Sequence, residues 1–122
     1  MVAFFSHCYL NINMNPSSTE LTVSDLLKLR NSHQDYLLLD IRETEETMIC
    51  TFPDTVHIRM HQIPSSWATL PQDKQIIVFC HYGTRSRMVV EFLQQQGLMN
   101  TINLAGGIDA WAIEIEPTME RY

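Results

Sequence analysis

The sequence predicts an α/β fold, an open and mainly parallel sheet of about five strands with helices on both faces. Three observations lead there. From Leu21 onward, apolar runs of strand length alternate with stretches of helical periodicity. The strand-like runs "DYLLLDIR" and "TVHIR" carry no polar alternation, the pattern of strands covered on both faces. The chain has 122 residues, enough for one domain that buries about two thirds of its unfolded surface without staples.

Residues 1–19 have no clear periodicity and close with the turn formers "NMNPSST", so they read as an irregular N-terminal arm, with Met14 a candidate natural start. "ELTVSDLLKLRNS" gives a short strand and then a helix. Thr22 caps it, Asp25 completes a capping box, and Leu26, Leu27 and Leu29 supply its apolar face. "DYLLLDIR" is the second strand and "TVHIR" a shorter third. "HQIPSSWATLPQ" holds a short helix under Trp67 and Leu70, limited by Pro64 and Pro71. Then come the strand "QIIVFC", the helix "RSRMVVEFLQQQ" with Gly97 at its C′ position, the strand "TINLA", and a last helix in "GGIDAWAIEI". Met88, Val89, Phe92 and Leu93 are expected on the buried face of their helix.

Net charge is −6, with 14 acidic against 8 basic side chains, which disfavours nonspecific binding to nucleic acid or anionic membrane. No apolar run approaches the ~18 residues of a spanning helix, and the N-terminus makes a poor signal peptide. Cys8, Cys50 and Cys80 are an odd set without C-x-x-C or zinc-like spacing, so a reducing cytoplasm is the expected compartment.

Chemistry concentrates after the fourth strand. Cys80 stands at its carboxyl end, where an open α/β sheet places its ligands, and "HYGTRS" must turn sharply into a helix. Gly83 permits positive φ, and Thr84 or Ser86 is expected to cap the helix. Backbone N–H groups in such a turn form an anion nest, reinforced by the helix N-terminus, with the sulfur at its centre. An ordinary cysteine has a pKa of ~8.5; a helix N-terminus or nearby cations bring it down to ~3.5–7.5, and here Arg85, Arg87 and His81 add charge. A lone cysteine closing a strand is ordinarily structural. Strand, Cys, Gly-containing turn, Arg and helix in one stretch point to a nucleophile instead. A C-x5-R loop encloses a phosphate, whereas only four residues separate Cys80 from Arg85, a ring better sized for one sulfur atom.

"LLLDIRE", "VHI", "IIVFCHYGTRS" and "FLQQQGLMNTINLAGGIDAW", in that order, resemble a single-domain rhodanese over residues 20–116, with "EIEPTMERY" leading into a C-terminal tail at 117–122. The resemblance implies a rhodanese-like fold and a thiosulfate sulfurtransferase. Cys80 would be nucleophile and persulfide carrier, and His81, Tyr82, Gly83, Thr84, Arg85 and Ser86 the substrate-binding loop, Arg85 orienting it and attracting an anionic donor. The expected partners are a small sulfur donor and a thiol or cyanide acceptor, or a sulfur-relay protein. Neither metal nor organic cofactor is implied. A phosphatase or arsenate-reducing relative is the other enzyme reading. Two departures stand out: His81 occupies a position often basic in the family, and "CTFPDT" replaces the usual "GHIPGA" turn.

Asp40 and Arg42 match the family's "D-x-R" and are expected as structural support, Asp40 capping and Arg42 binding an acid such as Glu46. Cys50 and Cys8 read as incidental, with a resolving or relay thiol the alternative for Cys50. His57 and His61, four apart around a strand end, make no metal pair, and Trp67 and Trp111 read as core anchors. Gly106 and Gly107 allow a tight turn beside the Cys80 loop, and "ETEE" reads as a solvated helix face.

Overall fold

The computed structural model describes residues 19–122. Cys8, Met14 and nearly all of the expected N-terminal arm lie outside them. The alternation resolves into five strands, β1 (Glu20–Leu21), β2 (Tyr36–Asp40), β3 (Thr55–His57), β4 (Gln75–Phe79) and β5 (Thr101–Leu104). Five α-helices connect or follow them: α1 (Val23–Asn31), α2 (Thr44–Thr47), α3 (Ile63–Ser66), α4 (Thr84–Gln95) and α5 (Gly107–Glu114). The strands form one sheet in the order β1-β5-β4-β2-β3, and every pairing is parallel.

All five residues of the central β4 are buried, as its unbroken apolar run predicts. Ile77 and Phe79 pack on one face with Leu26 and Leu29 of α1 and Ile108 and Trp111 of α5. Ile76, Val78 and Cys80 pack on the other with Ile63, Val89, Val90 and Leu93. β3 differs from the expectation of two-sided cover. It is a three-residue edge strand paired only with β2, and Val56 is 39% exposed.

Two of the helix signals hold in detail. Thr22 Oγ1 accepts the Asp25 N–H at 3.0 Å and Asp25 Oδ2 accepts the Thr22 N–H at 3.3 Å, the reciprocal box that opens α1. At the end of α4, Gly97 N–H donates to Gln94 C=O and Leu98 N–H to Leu93 C=O, a Schellman closure. The buried stripe of α4 runs through Ser86, Val89, Val90 and Leu93, which leaves Met88 56% exposed rather than in the core. Pro64 sits inside the first turn of α3, where its missing N–H costs nothing, and short 3₁₀ turns at Met60–Gln62 and Trp67–Thr69 flank that helix.

The topology fixes where a site can form. From β2 the chain runs outward to β3, and from β4 it runs the other way to β5, so the connections diverge above the carboxyl ends of two neighbours. Asp40 lies opposite Phe79 in the register, which sets the β2 end beside Cys80. The "CTFPDT" turn carries Asp54 at φ +59° and sends Phe52 into the core, edge-on to Phe79 at 4.9 Å and to Trp111 at 5.2 Å. Among the described residues no helix is long and apolar enough to cross a membrane.

Phe52 is 4% exposed and joins both helices of its face to the sheet. Phe52→Ala is expected to destabilise the fold by about 3–5 kcal/mol, read as a fall in the urea midpoint at unchanged m-value. A midpoint within error of the wild type would show that this turn is not part of the core.

Candidate active site

Cys80 follows directly on Phe79, the last residue of β4, and is 1% exposed. Three donors converge on its sulfur: Gly83 N–H at 3.1 Å, Ser86 N–H at 3.4 Å and the Ser86 hydroxyl at 3.2 Å. Gly83 makes this possible. Its φ of +98° is a conformation that side chains strain, and an added Cβ would sit 3.1 Å from Gly106 N and 3.3 Å from Leu104 O. Gly83 is also the N-cap of α4, without a side-chain cap bond, so neither Thr84 nor Ser86 caps the helix as the sequence suggests. The sulfur takes that place, accepting the amide of the third helical residue, and Ser86 adds its hydroxyl as a further donor. Of the expected ring 81–86, only Gly83 and Ser86 bond the sulfur among the described residues.

The loop's carbonyls are drawn the other way. Ile108 N–H donates to Cys80 C=O at 3.0 Å and Asp109 N–H to His81 C=O at 3.1 Å, both from the first turn of α5. The approach leaves no room for a side chain at Gly107 (φ +64°), whose Cβ would lie 2.3 Å from His81 O and 2.6 Å from Cys80 O. On the far side, the Asn103 side-chain amide donates to Gly83 C=O at 3.1 Å. The carbonyls of Cys80, His81 and Gly83 therefore face the fold, while the amides of Gly83 and Ser86 face the sulfur.

Beneath the loop, Arg42 is fully buried and pairs with Asp40, Nε to Oδ1 at 3.0 Å and Nη2 to Oδ2 at 2.8 Å. Asp40 accepts these bonds and the Arg42 N–H rather than capping a helix. Burial opposes the Arg42 charge, but hydrogen bonds with Asp40 and Tyr122 outweigh it and hold the guanidinium above its usual range. The structure corrects the expected acid partner. Arg42 meets only the backbone carbonyl of Glu46, while the Glu46 carboxylate receives both terminal nitrogens of Arg85 at 2.8 Å. The guanidinium expected to attract an anionic donor is thus engaged within the protein, and "ETEE" supplies a structural ion pair rather than only a solvated face. Arg87, on the first turns of α4, pairs with Glu20.

Sequence reasoning missed Asn103 and Tyr122, and it named Glu46 with the wrong arginine. Tyr122 lies in the 117–122 tail, which packs against the loop: its ring stacks on the His81 ring with centroids 3.7 Å apart, and Tyr82 stacks on His81 at 3.8 Å. Asn103 had a signal, a polar residue in a fully buried strand. Cys50 is half-buried with its sulfur 4.0 Å from Arg42 Nη1, and burial pushes its thiol up against the opposing pull of Arg42. His57 Nε2 bonds the Arg42 carbonyl at 2.7 Å, another prop for the β2 end.

Comparison with known proteins gives a consistent picture. The model of the Rhodanese-like domain family matches residues 22–114. The YtwF protein of Bacillus subtilis is 37% identical over 98 residues, covering 80% of this chain and 94% of that one. A sulfurtransferase of Allochromatium vinosum is 39% identical over 79 residues, 65% of this chain and 74% of its own length. The crystal structure of a rhodanese-related protein from Thermoplasma volcanium superposes with a TM-score of 0.73 at 33% identity, covering 80% of this chain and 94% of that one.

The ion pair under the loop has a pH signature. Hydrogen bonds from Arg85 hold the Glu46 carboxyl down from 4.5 to about 2, with burial pulling the other way. Because the folded value is depressed, the pair's stabilisation is complete above pH 4.5 and is lost as pH falls from there towards 2. The stability difference between the wild type and Glu46→Gln, from urea titrations at a series of pH values, is expected to be level above that window and to shrink within it. A difference independent of pH down to 2 would contradict the pairing.

Proposed function

The chain belongs to the rhodanese-like domain family of sulfurtransferases, and on that premise we propose that it moves a sulfane sulfur from thiosulfate, or a similar donor, to a thiophilic acceptor through a persulfide on Cys80. The observation that carries this reading is the convergence of three hydrogen-bond donors on one sulfur at the sheet's switch point. The Cys80 sulfur attacks the outer sulfur of thiosulfate; the new S–S bond forms as the old one breaks, and sulfite leaves with the electron pair. Cyanide or a thiolate then attacks the outer sulfur of the persulfide and returns Cys80 to its starting state. Both steps are displacements at sulfur and call for neither metal nor organic cofactor.

Gly83 and Ser86 supply the hydrogen bonds that hold negative charge on the cysteine sulfur while it acts as nucleophile and again as leaving group. His81, Tyr82, Thr84 and Arg85 shape the loop that the donor enters, and Asp40 and Arg42 brace it from below. A cytoplasmic setting, where thiols stay reduced, suits this chemistry. One observation favours a second reading, a carrier that takes its sulfur from a partner protein: Arg42, Arg85, Arg87 and Arg121, which surround the loop, each pair with a carboxylate and leave a small dianionic donor little to bind.

Thiosulfate-dependent thiocyanate formation tests the proposal. The wild type is expected to turn over and Cys80→Ser to be inactive; turnover that survives Cys80→Ser would overturn the assignment. Ser86→Ala removes one donor to a charged sulfur, worth about 1.5–3 kcal/mol, so its rate should drop roughly 10- to 100-fold. Hydrolysis of an aryl phosphate at a rate above sulfur transfer would move the protein to the phosphatase reading.

A further inference from the structure

Cys80 is 1% exposed, so whatever holds the loop governs both access to the sulfur and the geometry of its donors. Three ties hold it. The α5 amides grip the carbonyls of Cys80 and His81. Glu46 grips Arg85. The third is Tyr122, and it joins the other parts. Its hydroxyl accepts from Arg42 Nη1 at 3.0 Å and donates to Glu46 Oε1 at 2.8 Å. Its ring lies on the His81 ring at 3.7 Å with only 10° between planes. One side chain thus touches the buried Asp40–Arg42 pair, the Glu46–Arg85 pair and the residue next to the nucleophile. Burial pushes the phenol up to about 12, which extends the range over which it donates to the Glu46 carboxylate. Beside it, Arg121 Nε binds Asp109 Oδ1 at 2.9 Å, which fixes the segment to the first turn of α5.

We propose that Tyr122 is a positioning residue that clasps the Cys80 loop in its closed, donor-convergent arrangement. Its effect on sulfur transfer rests on the function proposed above; its effect on the loop does not. Tyr122→Phe keeps the His81 stack and removes both polar links, and Tyr122→Leu removes the stack as well. Neither change opens the hydrophobic core, so unfolding is not the expected consequence.

Two readouts on the full chain separate positioning from simple stabilisation. The first is alkylation of Cys80 by iodoacetamide, followed by mass spectrometry on the peptide that carries it, so that Cys8 and Cys50 do not contribute. The second is the kcat of thiocyanate formation. In Tyr122→Leu alkylation is expected to rise about tenfold and kcat to fall about tenfold, at the scale of loss that small misplacements cause, with thermal midpoint and circular dichroism close to wild type. Tyr122→Phe should fall between. Wild-type alkylation and kcat in Tyr122→Leu would overturn the clasp, as would changes matched by an equal loss of folded protein. Faster alkylation together with a higher kcat would overturn the positioning role, since the residue would then only obstruct. Should the wild type prove inactive on every sulfur donor, the proposed function fails, and the clasp stands or falls on the alkylation rates alone.

Discussion

The Cys80 loop hangs between two helix N-termini that use it in opposite ways. The amides that open α4 point at the Cys80 sulfur, and the amides that open α5 take the carbonyls of Cys80 and His81. A turn of peptide units carries equal numbers of donors and acceptors, and a nest for negative charge exists only if the acceptors are turned away and satisfied elsewhere. Two glycines permit that division, Gly83 by its left-handed backbone and Gly107 by having no Cβ where His81 and Cys80 carbonyls crowd in. Other features of the site, from sheet order to tail, serve to keep this loop in register.

The support is electrostatic as much as apolar. Removing one partner of a buried ion pair leaves an uncompensated charge that costs about 3–5 kcal/mol, so Asp40 and Arg42 act as a unit. Arg42 spreads its remaining bonds over the Glu46 and Cys50 carbonyls and the Tyr122 hydroxyl, which converts the end of β2 into a platform for α2 and the tail. Arg85 then reaches back from the loop to Glu46 on α2. The chain of contacts runs from the sheet to the neighbours of Cys80, and the arginines along it, each held by a carboxylate, act as struts for the loop.

Much of the fold was legible in the sequence because its signals are local. Unbroken apolar strands, the Thr22–Asp25 box and Gly97 at the end of α4 each have a short-range cause. The sharp turn that gathers donors on the Cys80 sulfur was legible too, from strand, cysteine, glycine and helix in one stretch. Pairings across long separations were not. Arg85 finds Glu46 at a distance of 39 residues, and Tyr122 meets Arg42 at 80. A sequence with several acids offers no rule for choosing among them, and proximity in the chain points Glu46 to Arg42 instead. Thr84 and Ser86 looked like caps because side-chain oxygens usually fill that role; a thiol filling it leaves no separate sequence mark.

On the proposed function, the amides around Cys80 hold a second sulfur atom on it. Incubation of the intact protein with thiosulfate, followed by nonreducing digestion and mass spectrometry, tests this most directly. A gain of about 32 Da on the peptide bearing Cys80, removed by cyanide, is the expected result. An unmodified Cys80 peptide under conditions in which Cys50 or Cys8 acquires sulfur would contradict the account.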